Sequence, residues 1–109
     1  MAKALASSNC SLTELDLSNN NMIGTDGALE IAKALRKNNR LVGLDLSDCA
    51  IGDAGAGAIF NVILSRSVPM RYLNLNSNNI SYNLVETMKE SLEELVTYVY
   101  LDDNRYEEE

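Results

Sequence analysis

The sequence predicts an α/β solenoid, a right-handed β-α superhelix with one parallel concave sheet and helices on its convex side. Three observations predict it. A nine-residue pattern recurs as Leu12-Thr-Glu-Leu15-Asp-Leu17-Ser-Asn-Asn20, Leu41-Val-Gly-Leu44-Asp-Leu46-Ser-Asp-Cys49 and Met70-Arg-Tyr-Leu73-Asn-Leu75-Asn-Ser-Asn78, then in worn form as Val96-Thr-Tyr-Val99-Tyr-Leu101-Asp-Asp-Asn104. The starts lie 29, 29 and 26 residues apart. Between copies the apolar spacing changes from two to the helical period.

Within each copy, Leu-x-Leu alternation marks a short strand with one buried face. Strands are expected over Glu14–Leu17, Gly43–Leu46, Tyr72–Leu75 and Tyr98–Leu101. The column Asn20, Cys49, Asn78 and Asn104 is expected inside the turns, where a buried polar group must bond to backbone. The first helix should start near Thr25 or Asp26 as N-cap and turn Leu29, Ala32 and Leu35 inward. Arg36 and Lys37 suit its C-terminus. The second should run from about Asp53, with Ala54, Ala58, Ile59, Val62 and Ile63 inward, its small residues allowing close approach to the sheet. Pro69 falls between this helix and the next strand, where it is tolerated. The third should start near Ser81, with Leu84, Val85, Met88, Leu92 and Leu95 inward.

At 109 residues the chain is one domain over 1–109. It reads as a part-repeat over 1–11, repeats starting at 12, 41 and 70, and a degenerate terminal repeat over 96–109. Ala2-Lys-Ala-Leu repeats Ala32-Lys-Ala-Leu, so the start resembles the back half of a repeat helix. The expectation is a piece of a longer array, with further repeats or self-association at its ends. The alternative is a short array capped by its own acidic tail.

These motifs resemble the leucine-rich repeat, in its ribonuclease-inhibitor-like class with long repeats. Ile23-Gly-Thr-Asp-Gly-Ala and Ile51-Gly-Asp-Ala-Gly-Ala look like the class's strand-to-helix turn. The departures are the 26-residue interval and the fourth copy, with Val and Tyr for some Leu. The class includes ribonuclease inhibitor, NOD-like receptor arrays, tropomodulin-type actin cappers and Ran GTPase activators. The resemblance therefore implies a protein-protein interaction module, binding mostly by the concave strand face. Two alternatives are a structural subunit held through repeat ends and convex helices, and a GTPase-activating or other regulatory accessory.

Composition narrows the chemistry. Sixteen acids against nine bases give a formal charge of −7, which disfavours nucleic acid and anionic membrane as main partners. There is no histidine, so histidine-based triads and zinc sites have no ligand. No phosphate-cradling glycine loop occurs. The expectation is a non-enzyme without cofactor or metal. Two cysteines make no disulfide framework, and a Cys10–Cys49 bridge is not expected because the two occupy different parts of the repeat. Reduced thiols and no secretory signal point to the cytoplasm or nucleus.

Alternation places Glu14, Asp16, Ser18, Gly43, Asp45, Ser47, Tyr72, Asn74, Asn76, Tyr98, Tyr100 and Asp102 on the outer face of the sheet. Glu14, Asp16, Asp45, Tyr72, Asn74, Tyr98 and Tyr100 are the candidate partner-binding residues. Acids steer a basic surface and tyrosines supply contact area. The expected partner is a protein with a basic or partly apolar patch.

Overall fold

The computed structural model describes residues 11–105. Seven elements alternate: β1 (Glu14–Asp16), α1 (Gly24–Lys37), β2 (Gly43–Asp45), α2 (Gly52–Ser65), β3 (Tyr72–Asn74), α3 (Tyr82–Leu92) and β4 (Tyr98–Tyr100). The strands form one parallel sheet in chain order. Leu15, Leu44, Leu73 and Val99 are register partners beneath it. Each strand is one residue shorter than expected, though Leu17 N–H still donates to Asp45 O at 2.8 Å. The part-repeat expected at 1–11, Ser11 apart, lies outside the described residues, as do Cys10 and the tail from 106.

The core is the seam between sheet and helices. Leu41, Leu44, Leu46, Ile51, Met70, Leu73, Leu75 and Ile80 are buried between the strands and the buried faces of the helices. The 26-residue interval is taken from the helix, since α3 has 11 residues where α1 and α2 have 14.

Four helix assignments are corrected. α1 begins at Gly24 without a side-chain cap, and Thr25 instead donates from its hydroxyl to Ile51 O, 3.0 Å away in the next repeat. Its buried stripe is Ala28, Ile31, Ala32 and Leu35, while Leu29 faces out. In α2, Ala54 is exposed and Ala58 half-buried; Gly55, Ala56, Ile59, Phe60, Val62 and Ile63 are inside. The close approach there is between helices. A Cβ on Gly55 would meet the Ala28 Cβ of α1 at 2.9 Å, so only glycine fits. α3 starts as expected, with Ser81 Oγ accepting from Leu84 N–H, but Leu95 beyond its end is exposed.

The turn column bonds repeat to repeat. Asn78 Oδ1 accepts from Cys49 N–H at 2.9 Å and Ile51 N–H at 3.4 Å, while its amide donates to Leu46 O at 2.8 Å. Asn104 does the same one repeat on, accepting from Asn78 and Ile80 N–H and donating to Leu75 O. Cys49 is buried, and its thiol donates to Leu17 O at 3.0 Å. Asn20, the first member, is exposed, and its side-chain amide donates within its own turn, to Leu17 O and Ser18 O.

The first turn differs because the Cys49 side chain, unlike that of Asn78, has no carbonyl oxygen. Its sulfur accepts from Asn20 N–H. No side chain then holds the next N–H, as Asn78 holds Ile51. Ile23 N–H donates instead to Asn20 O within the turn. The loop from β1 to α1 has seven residues against six from β2 to α2, and the extra one, Met22, is 97% exposed. The loop after α1 is one residue shorter than that after α2, which restores the 29-residue interval. α1 and α2 therefore match at a spacing of 28, which pairs Ala28 with Ala56 and Leu35 with Ile63.

Side-chain straps reinforce the stack. Arg66 reaches from the end of α2 to the end of α1 and donates to Leu35 O, Asn38 O and Leu41 O. Burial lowers its pKa from the usual arginine value, and the carbonyl set supports the charge. Asp53 Oδ1 accepts from Ser81 N–H at 2.7 Å and pairs with Arg105 at 3.2 Å. Burial opposes ionisation of Asp53, but the Ser81 and Arg105 bonds outweigh it and hold its pKa low.

The turn column is open to two tests. Asn78→Ala strands the N–H of Cys49 and the carbonyl of Leu46, and should destabilise by about 3 kcal/mol or more in denaturant melts. Burial raises the Cys49 thiol pKa, so its alkylation at neutral pH should track global unfolding. Rapid labelling of the native protein at Cys49 would overturn that placement.

Candidate functional site

Parallel register turns the alternation into rows on the outer sheet face. Glu14, Gly43, Tyr72 and Tyr98 form one row; Asp16, Asp45, Asn74 and Tyr100 form the next. All seven candidate residues therefore share one surface. Its β1–β2 half is acidic and its β3–β4 half aromatic.

The two halves are built differently. Tyr72 and Tyr100 sit diagonally on adjacent strands with ring centroids 5.6 Å apart, tilted by 55°. Tyr72 Oη accepts from Asn74 Nδ2 at 3.2 Å, which fixes that ring further. Tyr98 is 52% exposed and Tyr100 39%. Holding two rings against each other before binding lowers the ordering cost of contact.

The carboxylate column is partly structural. Asp16, Asp45 and Asn74 each turn Oδ1 back on their own chain and accept from Ser18, Ser47 and Asn76 N–H at 2.9 Å. These are Asx turns that end each strand. Asn74 is committed to this turn and to Tyr72, so its first role is to shape the face. Asp45 also accepts from Ser47 Oγ at 2.7 Å. The backbone and side-chain bonds from Ser18 hold the Asp16 carboxyl below the ordinary aspartate value. No Lys or Arg pairs with Glu14, Asp16 or Asp45 among the described residues.

A shallow depression of about 520 Å3 lies on this face, and Glu14, Asp16, Asp45, Tyr72 and Tyr98 all line it. Two further contributors, Val42 and Arg71, lie just before their strands and escaped the alternation argument; Gly43, which alternation placed on this face but not among the candidates, lines it too. Gly43 has no side chain to cover the sheet, and Glu14 leans across it, since a Cβ at Gly43 would lie 3.0 Å from Glu14 Cγ. The clue in the sequence was glycine where the neighbouring repeats carry Glu and Tyr. Among the described residues there is no His/Cys/Asp/Glu group able to hold a metal, and no helix is long and apolar enough to cross a membrane.

A model described as leucine-rich repeat matches residues 8–32, 37–60 and 67–83. The chain belongs to the leucine-rich-repeat family. Among solved structures, it resembles the tropomodulin C-terminal domain of Caenorhabditis elegans, with a TM-score of 0.82 and 19% identity over 95% of this chain and 63% of that one. It also resembles actin-binding site 2 of leiomodin-1, with a TM-score of 0.83 and 19% identity over 97% of this chain and 62% of that one. The leucine-rich-repeat chain thus spans less than two thirds of either structure, and at this identity the likeness establishes the fold. No curated protein matches the sequence.

The site makes one titration prediction. Because the folded pKa of Asp16 is depressed, its turn contributes stability above the unfolded pKa, and that contribution is lost as pH falls through the folded value. Carboxyl-carbon NMR should show Asp16 titrating below an unfolded-peptide aspartate. A midpoint at or above the peptide value would show that the turn does not hold in solution.

Proposed function

We propose that this chain is a non-catalytic protein-interaction module of the ribonuclease-inhibitor-like class, binding a protein partner through its concave strand face in the cytoplasm or nucleus. The repeat lengths support the class, since α1 and α2 each fill most of the distance between strands with 14 helical residues. One observation carries the binding reading. The same face holds three carboxylates without a basic partner among the described residues, beside a packed pair of tyrosines and a third that is half exposed. Unneutralised charge steers a basic surface, and pre-packed tyrosine supplies contact area at low entropy cost. The partner this fits has a basic, partly apolar patch. The leiomodin-1 structure is that of an actin-binding site, which makes actin the first partner to test.

The test measures binding of actin, and of proteins captured on the immobilised chain, to the parent and to variants. Tyr72→Ala or Tyr100→Ala should keep the fold and weaken binding by about 1 to 3 kcal/mol. Changing Asp16 and Asp45 together to Lys should slow association, with a loss that shrinks at high salt. Lys33→Glu, on the outer side of α1, should bind as the parent does. Loss with that variant and none with the tyrosine variants would sink the concave-face reading in favour of a structural subunit held by its helices.

A further inference from the structure

We infer that the two ends of the array bind each other: the β4 edge of one copy takes the β1 edge of a second, and the asparagine column runs on across the joint. The inference goes beyond the concave-face reading, since it concerns the edges of the sheet. Unpaired donors at one end and unused acceptors at the other carry it.

Inside the chain every joint uses the same bonds. Leu17 and Asn19 N–H donate to Asp45 O and Ser47 O of the next repeat, at 2.8 and 2.9 Å. Leu46 and Asp48, then Leu75 and Ser77, make the same pair further along. The N–H of each column residue also meets the column side chain that follows it. Asn20 meets the Cys49 sulfur, Cys49 meets Asn78 Oδ1, and Asn78 meets Asn104 Oδ1. At the last repeat the series has donors without acceptors. Leu101, Asp103 and Asn104 N–H hold the equivalent places and have no partner among the described residues. Asn104 is buried, so an unpaired N–H there is costly. Asp103 keeps the positive φ of Asn19, Asp48 and Ser77, so the last turn already has the shape of the internal ones.

The first repeat carries the missing acceptors. By the same spacing, Asp16 O and Ser18 O of a second copy take Leu101 and Asp103 N–H, and its Asn20 Oδ1 takes Asn104 N–H. The Asn20 amide donates within its own turn, and its Oδ1 has no donor among the described residues. The core positions agree. Leu12 is 45% exposed where its counterparts Leu41 and Met70 are buried, and Leu15, Leu17 and Val99 are only partly covered, unlike Leu44 and Leu73. On the outer face Tyr98 and Tyr100 stand beside Glu14 and Asp16 of the second copy, so neither row gains a new pair of acids. Pairing two β4 edges would instead bring together Glu90 and Glu93 of both copies, which line the groove beside β4. The joint is heterologous and does not close, so it adds copies head to tail.

The experiment follows the full chain by sedimentation equilibrium across protein concentration and salt. Weight-average mass should rise with concentration past that of a dimer. It should rise further with salt, because copies of charge −7 repel one another. Asn20→Ala removes the acceptor from an exposed side chain, and should weaken association about tenfold while the melting transition of the dilute chain stays in place. Cross-linking fixes the register. In parallel pairing Tyr98 and Glu14 of two copies lie about 4.8 Å apart, within reach of a disulfide. Mixed Tyr98→Cys and Glu14→Cys chains, both carrying Cys10→Ser, should oxidise to the mixed dimer ahead of either homodimer. Tyr100→Cys with Glu14→Cys, two residues out of register, should cross-link far more slowly. A concentration-independent monomer, or equal cross-linking at both registers, would overturn the joint. So would a mass that halts at the dimer with Tyr98→Cys homodimers forming first, the mark of a two-fold pairing of edges. Partner binding by the Tyr72 and Tyr100 variants tests the concave face separately.

Discussion

One bond pattern holds the stack: an asparagine side chain from one repeat closing the turn of the repeat before it. A turn that reverses a strand into a helix leaves backbone N–H and C=O groups unpaired. In a stack these are buried, and each unpaired group costs about 1 to 3 kcal/mol. Asn78 and Asn104 carry an acceptor and a donor on one short side chain, so each satisfies two N–H groups and a carbonyl of the previous repeat. The turn geometry follows from this. Asp48 and Ala50 in the second turn, and Ser77 and Asn79 in the third, hold positive φ so that their neighbours' N–H groups point at one oxygen. Ala50 tolerates a conformation usually left to glycine or asparagine because the bonds on either side fix it. Where the column carries Cys49, the grip is weaker, and the first turn is also where the chain admits an extra residue.

The strands, their order and the buried column were legible because they rest on a period of two and a fixed motif. Leu15, Leu44 and Leu73 can face only one way once Asp16, Asp45 and Asn74 face the other. The helix faces were less legible. A helix rotates by about 100° per residue, so a slip of one position moves a side chain from the core to solvent. Helical spacing put Leu29 on one face with Ala32 and Leu35, but the face that meets the sheet includes Ala28 and Ile31, and Leu29 falls just outside it. Thr25 looked like a cap because its type favours caps. Its hydroxyl goes instead to Ile51 O, a partner that local sequence does not reveal. Arg66 gave no local sign of burial, since its partners are carbonyls 25 to 31 residues earlier.

The candidate site was legible as a surface and less so as chemistry. Alternation placed all seven residues on one face. It could not separate side chains offered to solvent from those closing a turn. The spacing Asp16-x-Ser18, Asp45-x-Ser47, Asn74-x-Asn76 carried that information, because an acid or amide two residues before an N–H is the Asx-turn arrangement. Nor could it show that Glu14 leans over Gly43, since a glycine has no side chain to count. The acidic and aromatic halves meet beside Gly43, and the depression lies there.

The inserted residue also bears on how such arrays exchange parts. Strand to strand the first two repeats are 29 residues long, yet their helices correspond at 28. A unit cut out and replaced at the strands keeps its own internal frame, so its helix still meets the sheet correctly. A crossover within the helices, aligned by the strand period, would join α1 and α2 one residue out of phase and turn the Ala28 stripe away from its groove. Recombination aligned by the strand period therefore keeps each helix in frame only with breakpoints outside the helices, and a duplicated first repeat would carry the exposed Met22 with it.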